Sequence, residues 1–345
     1  MVEQNDFSAD SDVKPMKNIN KSNNKSSIEL EKEVKIPGKI LVVGAAVLDR
    51  IFYVDHLPAP GETAVGDRME VFAGGKGANQ AFAARKMGAE VRFLSGVGLD
   101  EAAGIVLNSL VKARVDTSGV EHFEEAPTAE AVITVDNRGE NQITACPGAY
   151  HLFKPEHLEK HKEAFQWADW LLIQNELPRP TVDKAMELAR EYGLKTIFNP
   201  APFRPHTPPP PLNLNFIVPN EIEAAGLLSV EDYFSVTPAQ RPALWRFLEA
   251  KNVVVTLGRN GCEWFDEKIQ RREYRPLELK AVDTVGAGDT FCGIFAALLA
   301  EGKDTDTAIR VAIVGSGLSV TRRGAQTGMP TRDELADYIS DNINS

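Results

Sequence analysis

An α/β fold, with a mostly parallel central sheet flanked by helices and a small β lid beside it, is predicted by three observations on the 345-residue chain. From Lys39 onward short β-branched runs alternate with stretches of helical period, the rhythm of βαβ units whose sheet is covered on both faces. Two segments, near 50–72 and 129–144, break that rhythm with alternating strand-like residues, turn punctuation and no helix; these form the expected lid. The composition, 43% hydrophobic, 25% charged and 8% aromatic, is that of an ordinary globular protein large enough to bury a sizeable core.

In chain order, residues 1–35 are rich in Asn, Ser, Lys and acids, with Phe7 as the single aromatic, and predict a disordered tail ahead of a domain spanning 36–345. The acids Glu3, Asp6, Asp10 and Asp12 and the lack of an apolar run argue against a targeting segment. Strands are expected at Ile40–Val43, Val91–Leu94, Trp170–Ile173, Thr196–Phe198, Phe216–Val218 and Val253–Leu257. Helices are expected at Ala102–Arg114, Val182–Tyr192, Pro242–Lys251 and Thr307–Thr321. Within the second lid segment, Ala131–Val135 and Asn141–Thr144 flank a hairpin connection at Asp136–Gly139. The lid is expected to expose one apolar face carrying Ile51, Tyr53, Val132 and Ile133. The run Pro205–Pro211 reads as a loop spacer.

Several function classes are set aside by charge and composition. Thirty-eight basic against 49 acidic side chains give a net charge of −11, which repels nucleic-acid phosphate. No run reaches the ~18 apolar residues of a membrane span. Cys146, Cys262 and Cys292 are too few and too scattered for a disulfide framework, and a cytoplasmic setting is expected. His157 and His161 have a helical i, i+4 spacing but no nearby third ligand, and read as a solvated face rather than a zinc site. Trp167 and Trp170 read as rim and core packing at a strand start.

Two motifs carry chemistry. The string Gly74-Gly-Lys-Gly-Ala-Asn79 opens a helix whose spacing runs Ala78, Ala81, Phe82, Arg85, with Gly88 at its end. Its N–H groups, Lys76 and Asn79 make a donor-rich surface for hydroxyls or an anion, or else a tight turn whose glycines only allow close packing. The second, Asp283-Thr-Val-Gly-Ala-Gly-Asp289, runs into a helix with apolar face Phe291, Phe295, Leu298 and Leu299 and a stop at Gly302. Bare N–H groups of Gly286, Ala287 and Gly288 would form a nest for negative charge. Asp289 beside them is either a first-turn acid serving the helix or a general base for a hydroxyl, and the combination favours the base.

These two segments resemble the signatures of the ribokinase family, the phosphofructokinase-B type carbohydrate kinases, over roughly residues 38–340. The resemblance implies a ribokinase-like sandwich and transfer of the γ-phosphoryl group of ATP to a sugar hydroxyl. It implies Asp289 as base, with Gly286, Ala287 and Gly288 as anion hole. Asp49, Gly75, Lys76, Asn79 and Glu176 match sugar-contacting positions, as does Asp289 itself. Asn199 and the turn Thr256, Leu257, Gly258, Arg259, Asn260 and Gly261 match the nucleotide side, together with Gly288. Asn220 and Glu223 match the element that organises hydrated Mg²⁺. Asp283, Val285, Ser319, Arg322, Gly324 and Gly328 resemble a monovalent-cation loop, implying K⁺ as activator. The lid implies a homodimer.

D-ribose is the expected substrate, giving ribose 5-phosphate, although Gly44-Ala-Ala-Val-Leu-Asp49 carries Val47 where ribose-specific members have an amide. Ile313 stands where related enzymes often use a polar residue near adenine. Fructose-type or adenosine-type kinases are the rival enzymes. A catalytically silent binding relative is the rival class, and the joint presence of Asp289, the anion hole, Asn220 and Glu223 argues against it.

Overall fold

The computed structural model describes residues 28–34, 36–205, 214–248 and 250–343. The elements run β1 (Lys39–Val43), β2 (Val47–Val54), β3 (Gly66–Gly74), α1 (Lys76–Lys86), β4 (Glu90–Gly98), α2 (Glu101–Lys112), β5 (Val120–Phe123), β6 (Ala129–Val135) and β7 (Asn141–Cys146). They continue as α3 (Pro155–Lys160), α4 (Lys162–Trp167), β8 (Trp170–Gln174), α5 (Arg179–Glu191), β9 (Lys195–Asn199), β10 (Leu214–Ile217), α6 (Glu221–Leu228), α7 (Arg241–Leu244) and β11 (Ala250–Thr256). The chain closes with β12 (Cys262–Phe265), β13 (Arg271–Tyr274), α8 (Ala287–Glu301), α9 (Thr305–Ser319), α10 (Ala325–Gly328) and α11 (Arg332–Asn342).

Among the described residues nine strands form the main sheet in the order β13-β12-β11-β10-β9-β8-β1-β4-β5, parallel throughout except that β12 runs antiparallel to both β11 and β13. Alternation within β1 shows why the sheet is covered twice. Ile40 and Val42 face the core built with α1, α8 and α9, while Leu41 and Val43 face the core built with α5. The chain leaves β1 toward β4 on one side and returns as β8 on the other, so the strand order reverses there. Ligands of open α/β sheets bind outside the carboxyl ends at such a reversal.

A second sheet, β3-β2-β6-β7, occupies the segments expected to form the lid. Its register puts Asp49, Ile51 and Tyr53 on one face with Ile133, and Arg50 on the other with Val132. The single apolar face expected from Val132 and Ile133 together is therefore corrected: adjacent strand residues point to opposite sides.

Two further expectations are corrected. The helix over 242–251 shrinks to α7 and a 3₁₀ turn at Trp245–Phe247, and the chain is already in β11 at Ala250, paired with Leu214. Burial of Trp245 against Tyr233 and Phe265 takes precedence over helical period. The tail over 1–35 lies outside the described residues for 1–27 and 35, but 28–34 pack on the domain. Ile28 is buried in the main core, the Glu31 carbonyl accepts from Arg332 Nε at 2.6 Å, and Lys32 pairs with Asp337. The proline run, beyond Pro205, also lies outside the described residues.

Candidate active site

Helices α1 and α8 bring the two glycine motifs together. Gly75, the N-cap of α1, has φ +88°, and a Cβ there would lie 2.6 Å from the Ala45 carbonyl, so only glycine lets the helix begin this close to β1. Gly293 of α8 faces Ala83 and the Gln80 carbonyl across the α1–α8 contact, where a Cβ would approach within 2.5 Å and 2.6 Å. One turn before Gly293, Asp289 meets α1 side-on. Its Oδ2 accepts from Asn79 Nδ2 at 3.0 Å and its Oδ1 from Gln80 Nε2 at 2.9 Å.

The capping alternative for Asp289 is thereby answered: the N-cap of α8 is Gly286, φ +76°, and it makes no side-chain cap. One part of the expected nest is corrected. The Ala287 N–H turns to the Thr284 carbonyl at 3.3 Å rather than standing bare, while the first-turn N–H of exposed Gly288 is one that a helix start leaves without an intrahelical acceptor.

A cavity of about 230 Å³ opens here, lined by Gly286–Asp289 and, facing them, by Lys76, Asn199, Asn220, Glu223 and Thr256. Every one of its strand-borne walls comes from a carboxyl end: Asn199 ends β9, Asn220 follows β10 and Thr256 ends β11. Asp49, beyond the cavity on β2, has its carboxyl pushed up to about 6 by burial and, secondarily, by the charge of Asp289. Glu176, after β8, accepts from the Lys76 backbone N–H at 2.9 Å. Burial drives its carboxyl to about 7 despite the opposing charge of Lys76. The Lys76 ammonium is held more strongly protonated than usual, first by Asp289.

Other expected residues are placed differently. Asn220 and Glu223 form a capping box on α6: Asn220 Oδ1 accepts from the Glu223 N–H at 2.8 Å and Glu223 Oε2 from the Asn220 N–H at 2.9 Å. One oxygen of Glu223 is left toward the cavity, and burial raises its carboxyl. Among the described residues no group of three His, Cys, Asp or Glu side chains converges to hold a metal ion. Leu257 is core, Gly258, Arg259 and Asn260 are exposed, and Gly261 (φ +89°) closes the turn, so only Thr256 of that motif lines the cavity. Ile313 packs on the main core and is absent from the cavity wall.

In the loop around Asp283, Oδ2 accepts from the Gly324 N–H at 2.8 Å and Oδ1 from the Val285 N–H at 3.0 Å. A Cβ on Gly328 would fall 2.9 Å from the Ser319 carbonyl oxygen and 3.5 Å from that of Arg322. Bare Gly328 thus leaves a cradle with carbonyls converging on it, which fits a monovalent cation. Distant from the site, His161 is not a solvated residue: its Nε2 lies 3.1 Å from Glu121. Trp170 is core, and Trp167 sits at the rim under Arg92.

Sequence reasoning missed Gln80, which bonds Asp289, Gln326, which bonds Asn79, Gln174, which bonds Gln80 from behind, and Cys292, which lines the cavity three residues after Asp289. Cys292 had a signal, since a residue three positions on shares the helix face of Asp289.

Residues 38–332 match the pfkB family carbohydrate kinases. A ribokinase of Staphylococcus aureus (strain COL) is 34% identical over 300 residues, covering 86% of this chain and 98% of that protein. A deoxyribokinase of Salmonella typhi is 32% identical over 306 residues, covering 87% and 98%. The structure of Arabidopsis thaliana ribokinase complexed with ribose and ATP superposes with a TM-score of 0.80 at 28% identity, covering 88% of this chain and 99% of that one. The chain is a phosphotransferase acting on a sugar hydroxyl, and it belongs to the pfkB family of carbohydrate kinases.

Proposed function

We propose that the chain transfers the γ-phosphoryl group of ATP to a hydroxyl of D-ribose, giving ribose 5-phosphate and ADP. The observation that carries this is the Asp289 carboxylate, held by two amides at the first turn of α8 and opening on the same cavity as the helix N–H groups and Lys76. In this reading Asp289 takes the proton of the sugar hydroxyl as its oxygen bonds to the γ-phosphorus and the bond to the bridging oxygen of ADP breaks. Gly286, Gly288 and Lys76 stabilise the charge on the transferred group, Ala287 contributing as its contact to Thr284 loosens. Asp49, Gly75, Asn79 and Glu176 hold the sugar. Asn199 and the turn 256–261 hold the nucleotide. Asn220 and Glu223 would hold Mg²⁺ through water; that ion supplies neutralisation of phosphate charge. Asp283, Val285, Ser319, Arg322, Gly324 and Gly328 would hold K⁺, a reading supported by the carbonyl cradle beside Gly328.

We further read residues 36–345 as one kinase domain, with the β3-β2-β6-β7 sheet as its lid and as the face of a homodimer. Exposed Met69 and Val132, which share the Arg50 and Phe52 face of this sheet, support the latter. Three free cysteines support a cytoplasmic setting. A 2-deoxypentose is the second reading for the substrate, favoured by Val47, which offers no hydrogen bond on the face it shares with Asp49.

The test is turnover of ATP by the purified chain over a panel of pentoses, hexoses and nucleosides, repeated with Asp289→Asn. Ribose or deoxyribose should be the best acceptor, and the variant should lose about 10²-fold or more in kcat. No pentose turnover refutes the substrate, and comparable turnover by the variant refutes the base.

A further inference from the structure

The Asp289 carboxylate sits where two chains of buried amides meet. On one side Gln174 Nε2 donates to Gln80 Oε1 at 2.7 Å, and Gln80 Nε2 donates to Asp289 Oδ1 at 2.9 Å and to Asn199 Oδ1 at 3.1 Å. On the other, Ser109 Oγ donates to Gln326 Oε1 at 2.5 Å, Gln326 Nε2 to Asn79 Oδ1 at 3.1 Å, and Asn79 Nδ2 to Asp289 Oδ2 at 3.0 Å. The polarity follows from the charge. An ionised carboxylate only accepts, so Asn79 and Gln80 must turn their NH₂ groups toward it. Their carbonyl oxygens then face away and require donors, which Gln326 and Gln174 supply.

Gln80 and Gln174 have no exposed surface, and Gln326 is 5% exposed. The outer end of one chain is left incomplete: Gln174 Oε1 is buried without a partner. Burying amides, one of them unsatisfied, costs more than filling the same space with apolar side chains, so packing alone does not account for them. Their arrangement does account for a carboxylate that cannot rotate, because each oxygen is gripped by an amide whose own orientation is fixed from behind.

We propose that Gln80 and Gln326 are positioning residues, which hold the Asp289 carboxylate in one orientation toward the acceptor hydroxyl through these two converging relays. Neither is required to touch the sugar. Gln80 also ties the base to the end of β9, since the Asn199 Nδ2 goes on to the Val218 carbonyl at 2.8 Å, so the carboxylate is registered against the sheet that carries the nucleotide wall. The proposal rests on the reading of Asp289 as base.

The experiment is a double-mutant cycle on the full chain, with Gln80→Met, Gln326→Met and Asp289→Asn alone and Gln80→Met combined with Asp289→Asn. Methionine keeps the length and volume of glutamine and removes its donors. Gln80→Met should lower kcat by about tenfold or more while the KM values for sugar and ATP stay within about threefold. In the Asp289→Asn background the same substitution should change kcat by less than about twofold, because its target is gone. An undiminished effect in that background, an effect on sugar KM alone, or an unchanged kcat overturns the proposal. Where melting shows Gln80→Met unfolded, Gln326→Met, which acts on the carboxylate only through Asn79, is held to the same kcat and KM criteria. Turnover retained by Asp289→Asn overturns both the proposal and the base on which it rests. Turnover lost there but kept in both glutamine variants overturns the proposal alone.

Discussion

Substituting Val47→Asn tests whether specificity is written at the start of β2. Val47 pairs with Gly74 and Ala129, and lies two residues before Asp49 on the same strand face. Two residues of strand span about 7 Å, so a single pentose held by Asp49 reaches Val47. Val47 is partly exposed rather than core, so an amide there is not stranded without water, and its cost to stability should stay below about 1 kcal/mol. A new hydrogen bond to a neutral hydroxyl contributes about 0.5–1.5 kcal/mol net, and about 1–3 kcal/mol where the competing sugar would leave the amide unpaired. The ratio of kcat/KM for ribose over 2-deoxyribose should therefore rise by about 3- to 100-fold. Both ratios and the melting temperature are measured on the same preparations. Lost stability with an unchanged ratio would mean that Val47 packs against the sheet and never meets substrate, refuting the reasoning from strand face to specificity.

Other outcomes follow from the buried charges and tight turns. For Glu176, at about 7 in the fold against an ordinary 4.5, the burden on stability is absent below pH ~4 and complete above pH ~7. Glu176→Gln should therefore melt higher than the parent at pH 8, by at most ~3 kcal/mol, with the gain vanishing toward pH 4. An unchanged difference across that range contradicts the burial argument. Protonation of Asp49 and Glu176 between pH 7 and 5 should also raise the sugar KM as pH falls, checked by initial rates at saturating ATP. Gly286→Ala places a Cβ 2.7 Å from that of Ala325 at φ +76°, and should cost about 2 kcal/mol or more in urea unfolding. Hydrogen exchange in β2, β3, β6 and β7 should slow on adding sugar or on dimer formation, and an unchanged pattern in a strictly monomeric chain would end the lid reading.

What was legible in the sequence was what the backbone alone demands. Gly75, Gly88, Gly286 and Gly302 all have positive φ, so their positions marked where α1 and α8 begin and end before any contact was known. The parallel sheet was legible for a similar reason, because strands buried on both faces have to be continuously apolar. The helix expected over 242–251 failed because Trp245 is fixed by partners in other elements, and no local pattern records them.

The amide relays were illegible for the same cause in stronger form. Gln80 and Gln326 meet residues about 210 and 250 positions away along the chain, and an isolated glutamine reads as a surface residue. Asp289 and the Asn220–Glu223 pair show how contacts then decide between equivalent sequence readings. Asp289 and Glu223 are both acids in the first turn of a helix, where dipole and capping favour them without any function. In α6 the capping is real, with an oxygen of each side chain spent on a backbone N–H. In α8 both Asp289 oxygens are held by side chains of another helix and none caps. A carboxylate oriented from outside its own helix caps none of that helix's N–H groups, although the dipole still favours it, and it is this separation from capping, rather than the aspartate's place in the motif, that argues for its work on substrate.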